Sequence, residues 1–294
     1  MENDIRKIIE KEKNKILKDL RHTGFAKSHI FYLLRNQQLE MYTEMEKHFE
    51  NMNRHPLIIE RIKNYQSNVK AISGPGKAFE NNQFHYLNRA LTLEDSSVIQ
   101  FHLNNDFLDI AESYLEAPPR VRNILTWLHP SGGNQMRTRS QRWHRDQCSS
   151  KMLKIFVYMK DITEKQGPLQ YVSSSKYGAK NNFLWPNIHN GIWETHGYLD
   201  QKATSEIPRF DVLTATGPPG TIIFVDTNGI HRGGFVEEGI RMKTHALYLR
   251  PDAEHIVSGP LATFNYNAET LNFCDYNSSQ FRELTERQRR VLKK

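Results

Sequence analysis

Short strand-like runs in the second half of the chain constrain its fold more than any other feature. Residues 153–159, 220–226 and 241–249 are rich in apolar, β-branched and aromatic side chains, and polar or turn-forming residues bound each run. Residues 121–129 form a similar run before them. These runs predict that the second half of the chain consists mainly of β-strands.

The N-terminal part of the chain has a different pattern. Four segments have helix-forming composition or periodicity: residues 3–20, 36–52, 56–65 and 97–115. We therefore predict an α+β protein with a mostly β core, in which helices at about 1–118 support a barrel at about 120–251. The extension at 252–294 should end in a helix. No repeat or linker interrupts the sequence, so we treat residues 1–294 as a single domain.

Composition restricts where the protein works. Its two cysteines, Cys148 and Cys274, are too few for a disulfide framework. No apolar run reaches membrane length, and the N-terminus lacks the apolar core of a signal peptide. We therefore expect a cytoplasmic protein without a membrane span. The net charge is +7, but aromatic residues do not interleave with the basic tail at 287–294. We interpret the tail as a solvated helix end and do not expect nucleic acid as a partner.

The sequence Trp143-His144-Arg145-Asp146 supplies an imidazole and a carboxylate shortly before the run at 153–159. A lone His-x-Asp is a weak signal, because a histidine is more often a satisfied surface or core residue than a ligand. Here a second histidine, His231, follows the run at 220–226. Two imidazoles and one carboxylate are the ligand set of a mononuclear non-haem iron(II) site. Such a site leaves three positions for a chelating co-substrate and dioxygen.

Arg241 begins the next strand-like run, ten residues after His231. A guanidinium placed there can hold the far carboxylate of a chelating co-substrate in a bidentate pair. Two ligands next to one strand, a third ligand 87 residues later (231 − 144) and an arginine on the next strand suit the mouth of a double-stranded β-helix, the cupin-like jelly-roll barrel. These residues therefore predict an oxygenase, without naming its substrate.

Together the blocks resemble the phytanoyl-CoA dioxygenase-like branch of the iron(II)/2-oxoglutarate oxygenases. The resemblance covers about residues 120–251 in family order, and a shorter echo is Leu17-x-x-Leu20-x-x-x-Gly24-Phe25. It rests on Trp143-His144-x-Asp146, on D-I-T-E-K-Q-G-P-L at 161–169, on Gly220-Thr221-x-x-Phe224-x-Asp226 leading to His231-Arg232-Gly233-Gly234, and on Arg241.

The resemblance implies that His144, Asp146 and His231 bind iron(II) and form the catalytic centre. It implies that Arg241 binds the C5 carboxylate of 2-oxoglutarate, which is consumed with dioxygen to give succinate and CO2. The expected reaction is hydroxylation of an unactivated C–H bond in a small molecule. Because the carboxylate ligand Asp146 is present, hydroxylation is favoured over the halogenation carried out by related enzymes.

The chain departs from the family pattern at two places. Ser173-Ser174-Ser175-Lys176 stands where many members have Pro-Gly-Ser-His, and Gly233 stands where many have a hydroxyl residue. Both differences concern secondary contacts to 2-oxoglutarate and not the metal ligands.

Other side chains are candidates for binding the co-substrate. With a period of two, Asn123, Leu125, Trp127 and His129 share one face of the run at 121–129. If that face lines the barrel, Asn123 and His129 orient 2-oxoglutarate or substrate. The alternative is that Leu125 and Trp127 are core residues, with the two polar side chains in solvent.

Residues 176–217 are the predicted substrate lid, because they separate the two metal-binding regions and are rich in aromatic, Asn, Gly and Pro residues. Trp185 and Trp193 are candidate substrate contacts, unless these rings only anchor the loop to the core. Arg232, beside His231, either binds an anionic substrate or forms a surface ion pair.

Two other functions stay open. The same barrel can serve as a non-catalytic binding protein that retains the metal ligands. Alternatively, an oxygenase of this kind can act on nucleic acid or protein, an option raised by the isoelectric point of about 9.2.

Overall fold

The computed structural model describes residues 2–68, 96–131, 139–146, 149–182, 205, 207–253 and 285–292. The helices within these ranges are α1 (Glu2–Thr23), α2 (Ile30–Leu33), α3 (Asn36–Arg54), α4 (Pro56–Asn68), α5 (Ser96–His102), α6 (Asn105–Leu115) and α7 (Glu286–Leu292). The strands are β1 (Phe25–His29), β2 (Arg120–Pro130), β3 (Met152–Tyr158), β4 (Leu169–Val172), β5 (Val212–Ala215), β6 (Thr221–Val225), β7 (His231–Gly233) and β8 (Ile240–Leu249). The protein is thus a mixed α/β structure, with helices first and strands mostly after them.

The strands form two antiparallel sheets. The larger sheet has the order β1-β6-β3-β8-β2, and the smaller has the order β5-β4-β7. All four runs predicted to be strands are therefore strands of the larger sheet.

Each face of the larger sheet packs against a different layer, because successive side chains of a strand point to opposite faces. On β3, Ile155 and Val157 join the core that the sheet forms with the helices. Phe156 and Tyr158 of the same strand instead join the core shared with the smaller sheet. The helices thus cover one face of the larger sheet, and its other face, called here the inner face, looks toward the smaller sheet.

The helix predicted at 97–115 is wrong in one respect, since the structure divides it into α5 and α6. Asn104 lies between them with an extended backbone (φ −62°, ψ 151°), and its Oδ1 accepts a hydrogen bond from the backbone N–H of Phe107 at 2.9 Å. A side-chain oxygen in this position caps the start of a new helix.

The C-terminal helix α7 binds to the N-terminal helices through ion pairs. Arg287 lies 2.7 Å from Asp109 and 2.8 Å from Glu112, both on α6. Lys13 of α1 lies 2.9 Å from Asp109 as well. Arg287 is therefore a docking residue, and the interpretation of the tail as a solvated helix end is wrong for this side chain. None of the helices in the described ranges is long and apolar enough to cross a membrane.

Candidate metal centre

Backbone hydrogen bonds bring the two halves of the candidate metal site together. His144 and His231 form an isolated antiparallel bridge, in which each backbone N–H donates to the other residue's carbonyl at 3.0 and 2.9 Å. The N–H of Asp146 donates to the carbonyl of Thr227 at 2.8 Å. The main chain therefore aligns these residues, although they are far apart in sequence.

The three side chains converge. One ligand atom from each of His144, Asp146 and His231 can be chosen so that all three lie within 4.8 Å of one another. The Nε2 atom of His144 is 3.8 Å from Asp146 Oδ1, and that of His231 is 3.9 Å from Asp146 Oδ2. Two imidazole nitrogens and a carboxylate thus face a common point.

Hydrogen bonds fix the tautomer of both imidazoles. His144 Nδ1 donates to the carbonyl of Arg142 at 2.8 Å, and His231 Nδ1 donates to that of Gly229 at 2.9 Å. Because a carbonyl only accepts, each Nδ1 carries the proton and each Nε2 presents a lone pair toward Asp146.

The charge states also suit a metal. Burial lowers the pKa of His144, and burial together with neighbouring His144 lowers the pKa of His231 to about 3. Burial alone would raise the pKa of Asp146, but the charge and the hydrogen bond of Lys154 hold it well below its usual range. The site therefore combines two neutral imidazoles with an ionised carboxylate, the forms that bind a metal ion.

Arg145 fastens the segment that carries His144 and Asp146, a role that sequence reasoning missed. Its buried guanidinium donates to the carbonyls of Ser175 at 2.5 Å, Asn228 at 2.6 Å and Asn182 at 3.1 Å. Arg145 therefore links this segment to the loops after β4 and before β7. The sequence did not indicate this role for Arg145, because only the fold places three carbonyls around its guanidinium.

Arg241 is buried beside the smaller sheet, with 4% of its surface exposed. Its Nη1 donates to the carbonyls of Gly167 and Gly234. Its Nε is also buried and has no hydrogen-bond partner among the described residues. Burial lowers the pKa of Arg241 to about 10, so the group remains a cation near neutral pH. The Nη1 atom of the guanidinium is thus held by the backbone, and its Nε–H can donate a hydrogen bond to a ligand.

Further basic side chains follow Arg241 on the inner face of β8. Lys243 lies opposite Tyr158 of β3 and Trp127 of β2, and its Nζ is 4.3 Å from the centre of the Phe156 ring. His245 lies opposite Phe156. Burial lowers the pKa of Lys243 well below its usual range, and the charges of Arg241 and Lys154 lower it further. The polar positions 241, 243 and 245 alternate within an apolar strand, a signal that could have identified them from sequence.

Lys154 of β3 brings another cation to the candidate metal site. Its Nζ lies 2.5 Å from Asp146 Oδ2. Sequence reasoning missed Lys154 as well, although a lysine in the otherwise apolar run at 153–159 was visible.

The remaining predicted site residues have different outcomes. His129 lies opposite Arg241 in the sheet, and its ring stacks on Trp127 with centres 5.3 Å apart. Asn123 lies opposite Leu247, and its side chain is outside the described part of the structure. Arg232 donates from Nε to Gln170 at 2.7 Å and lies over the Trp143 ring at 4.3 Å, contacts that differ from the surface ion pair considered above.

The predicted lid at 176–217 is only partly described. Residues 183–204, which include Trp185 and Trp193, lie outside the described ranges. Residues 212–215 form strand β5, so the end of the segment belongs to the smaller sheet.

Comparisons with known proteins support the fold. No protein-family model matches the sequence, and no curated protein matches it. The epimerase SnoN, in complex with Fe3+, α-ketoglutarate and nogalamycin RO, is similar with a TM-score of 0.53 and 12% identity, over 82% of this chain and 84% of that chain. EctD from S. alaskensis with bound Fe has a TM-score of 0.50 and 13% identity, over 80% of this chain and 76% of that chain. This protein therefore shares the fold of these two enzymes.

Proposed function

We propose that this protein is an iron(II)- and 2-oxoglutarate-dependent dioxygenase that hydroxylates an unactivated C–H bond of a small molecule. The observation that carries the proposal is the convergence of His144, Asp146 and His231 in the charge states that bind metal. Both solved structures that share the fold contain iron, and that of SnoN also contains α-ketoglutarate. These bound ligands support iron and 2-oxoglutarate as the cofactor and co-substrate of this protein.

Iron(II) with 2-oxoglutarate fits the residues better than a hydrolytic zinc site does. Zinc uses two histidines and a carboxylate in some hydrolases, so the three ligands alone do not distinguish the metals. The neighbouring Arg241 does, because its buried guanidinium remains a cation near neutral pH and a buried cation needs an acidic partner. A dicarboxylate co-substrate supplies that partner, whereas a metal-bound water does not.

Arg241 would bind the C5 carboxylate of 2-oxoglutarate through the edge that carries Nε. The Nη1 atom already donates to two backbone carbonyls, which fixes the plane of the guanidinium. The orientation of the buried Nε–H, which lacks a partner among the described residues, is therefore fixed by the protein before any ligand binds. Lys243 would become a second cation next to this carboxylate, because the acidic ligand would offset the burial and the like charges that lower the pKa of Lys243.

Iron(II), when bound with 2-oxoglutarate and dioxygen, supplies the oxidising chemistry and yields succinate and CO2. The protein's own part is to position these molecules and exclude water. The Nδ1 hydrogen bonds of His144 and His231 keep both imidazoles in the ligating tautomer. The rings of Trp127 and Phe156, which flank Lys243 and His245, provide an apolar wall.

The finer assignments belong to the same proposal. We assign the two antiparallel sheets to a jelly-roll double-stranded β-helix, and the chain to the phytanoyl-CoA dioxygenase-like family as a single domain. The order of the sequence blocks and the positions of His231 and Arg241 at the starts of β7 and β8 support both assignments. We retain a lid within residues 176–211 and a small-molecule substrate, in the reducing cytoplasm that keeps iron ferrous.

The test is an anaerobic titration. Iron(II) and then 2-oxoglutarate are added to purified protein, and the weak visible charge-transfer band of the chelate is followed. The band should appear in the parent protein and be missing in His144→Ala and Asp146→Ala, which should keep the thermal unfolding transition of the metal-free parent. Succinate release then allows small molecules to be screened. A folded parent protein without the band would favour the non-catalytic binding protein instead.

A further inference from the structure

Lys154 makes a contact that the proposed ligand set does not account for. Its Nζ lies 2.5 Å from Oδ2 of Asp146, well within hydrogen-bonding distance. The same Oδ2 lies 3.9 Å from His231 Nε2, while the other carboxylate oxygen, Oδ1, lies 3.8 Å from His144 Nε2. The two oxygens of one candidate ligand therefore have different neighbours.

The fold directs Lys154 to this position. Along β3, Ile155 and Val157 point to the helices, so Lys154 points to the inner face with Phe156. Its neighbours across the sheet are the apolar residues Val225 and Leu247. The methylene chain of Lys154 can cover this apolar surface while its ammonium reaches a polar partner.

Charge explains why the partner is Asp146. Lys243 lies on the adjacent strand of the same face, and its pKa is depressed by burial and by the charges of Arg241 and Lys154. Like charges therefore surround Lys154 on that side, whereas Asp146 offers an ionised carboxylate. A half-buried ammonium is more stable when it is paired and hydrogen-bonded, so the contact with Oδ2 is favoured.

A carboxylate can bind a metal through one oxygen or through both. A facial triad needs the first mode, because its three remaining positions must accept a bidentate co-substrate and dioxygen. If both oxygens of Asp146 bound the metal, one of those positions would be lost.

We propose that Lys154 is a positioning residue that holds Oδ2 of Asp146 and restricts this ligand to binding the metal through Oδ1 alone. The inference rests on the proposed metal site. It assigns to Lys154 the task of keeping three coordination positions open.

Infrared difference spectroscopy tests this directly. Protein labelled with 13C-carboxyl aspartate is measured anaerobically before and after iron(II) is added. The separation between the antisymmetric and symmetric carboxylate stretches is wider for a carboxylate bound through one oxygen than for one bound through two. We expect the wide separation in the parent protein and a narrower one in Lys154→Met.

Two further variants isolate the contact. Lys243→Met removes another lysine from the same face, whose Nζ lies over the Phe156 ring, so it should keep the wide separation. Lys154→Arg retains a cationic donor and should restore it. If Lys154→Met does not fold, Lys154→Leu removes the same donor with a shorter side chain.

The outcomes separate this inference from the proposed function. A parent protein that shows no carboxylate change on adding iron(II) would contradict the metal site itself. A parent with the wide separation and a Lys154→Met variant with the same separation would overturn only the role of Lys154. Tighter iron(II) binding in Lys154→Met with an unchanged separation would also overturn it, because the ammonium would then merely compete with the metal.

Discussion

Replacing Arg241 by methionine removes the buried cation while keeping a side chain of comparable length. We expect 2-oxoglutarate to bind more weakly, because its C5 carboxylate would enter a buried position without its charged partner. Truncating one partner of a buried, hydrogen-bonded charge pair costs about 2–4 kcal/mol of binding free energy. At about 1.4 kcal/mol for each factor of ten, the dissociation constant should rise about 30- to 700-fold.

The substitution also affects folding, which the experiment must separate from binding. The carbonyls of Gly167 and Gly234 lose the donor that Arg241 provides. Each buried carbonyl left unpaired costs about 1–3 kcal/mol, so a lower unfolding temperature is expected. Binding is therefore measured well below that temperature, on protein whose circular dichroism matches the parent.

The assay follows the charge-transfer band during anaerobic titration with two ligands. One is 2-oxoglutarate, and the other is 2-oxopentanoate, which chelates iron in the same way but has a methyl group in place of the C5 carboxylate. Arg241→Met should weaken the first ligand and leave the second almost unchanged. An equal effect on both ligands would refute the reasoning, since it would show that the variant damages the chelating site and that Arg241 does not recognise the C5 carboxylate.

Three other predictions follow from described contacts. Lys243→Met should weaken 2-oxoglutarate about tenfold, or about 1.4 kcal/mol, in the same titration, and unchanged affinity would remove Lys243 from the co-substrate site. Gly167 (φ +66°) and Gly178 (φ +73°) are both left-handed, so alanine should cost about 1–2 kcal/mol of unfolding free energy at either. Gly167→Ala should cost clearly more, because its Cβ would lie 2.2 Å from the carbonyl oxygen of Phe235, whereas nothing lies within 4 Å at Gly178; equal losses in urea unfolding would contradict this. Burial lowers the pKa of His102 to about 3. Below about pH 6.5 this histidine is therefore protonated in the unfolded chain but not in the folded protein, so the free energy of unfolding decreases as the pH is lowered. The free energy of unfolding of the metal-free parent should therefore drop by about 2 kcal/mol more between pH 7 and pH 5 than that of His102→Gln, and parallel pH profiles in urea unfolding would show that His102 is not responsible.

The sequence was informative about strands and about the candidate ligands for a shared physical reason. A strand with one face against the helices and another against the smaller sheet needs a run of apolar residues, and such runs are visible at 153–159 and 220–226. A facial-triad iron site needs two histidines and one carboxylate, so His144, Asp146 and His231 stood out near those runs.

Local pattern was less informative where a long-range partner decides the outcome. The break between α5 and α6 depends on the Asn104 side chain capping a new helix, and apolar periodicity continues on both sides of it. Strand β5 exists because residues 212–215 pair with β4, a partner that the sequence of the predicted lid does not reveal. The three carbonyls around Arg145 come from two different loops, which only the folded chain brings together.

The cations of the inner face explain why the metal and the co-substrate sites belong together. Asp146 is the carboxylate that lies against Lys154, and both imidazoles of the site are held neutral. That leaves Arg241 and Lys243 farther along β8, where burial already works against the charged form of each. Burying these groups lowers the stability of the folded protein unless a bound anion offsets the cost. Their presence therefore argues for an acidic molecule that spans from the metal site to Arg241. A 2-oxo acid with a second carboxylate meets this requirement at both ends. A neutral ligand in a non-catalytic barrel would leave the buried Arg241 cation without an acidic partner.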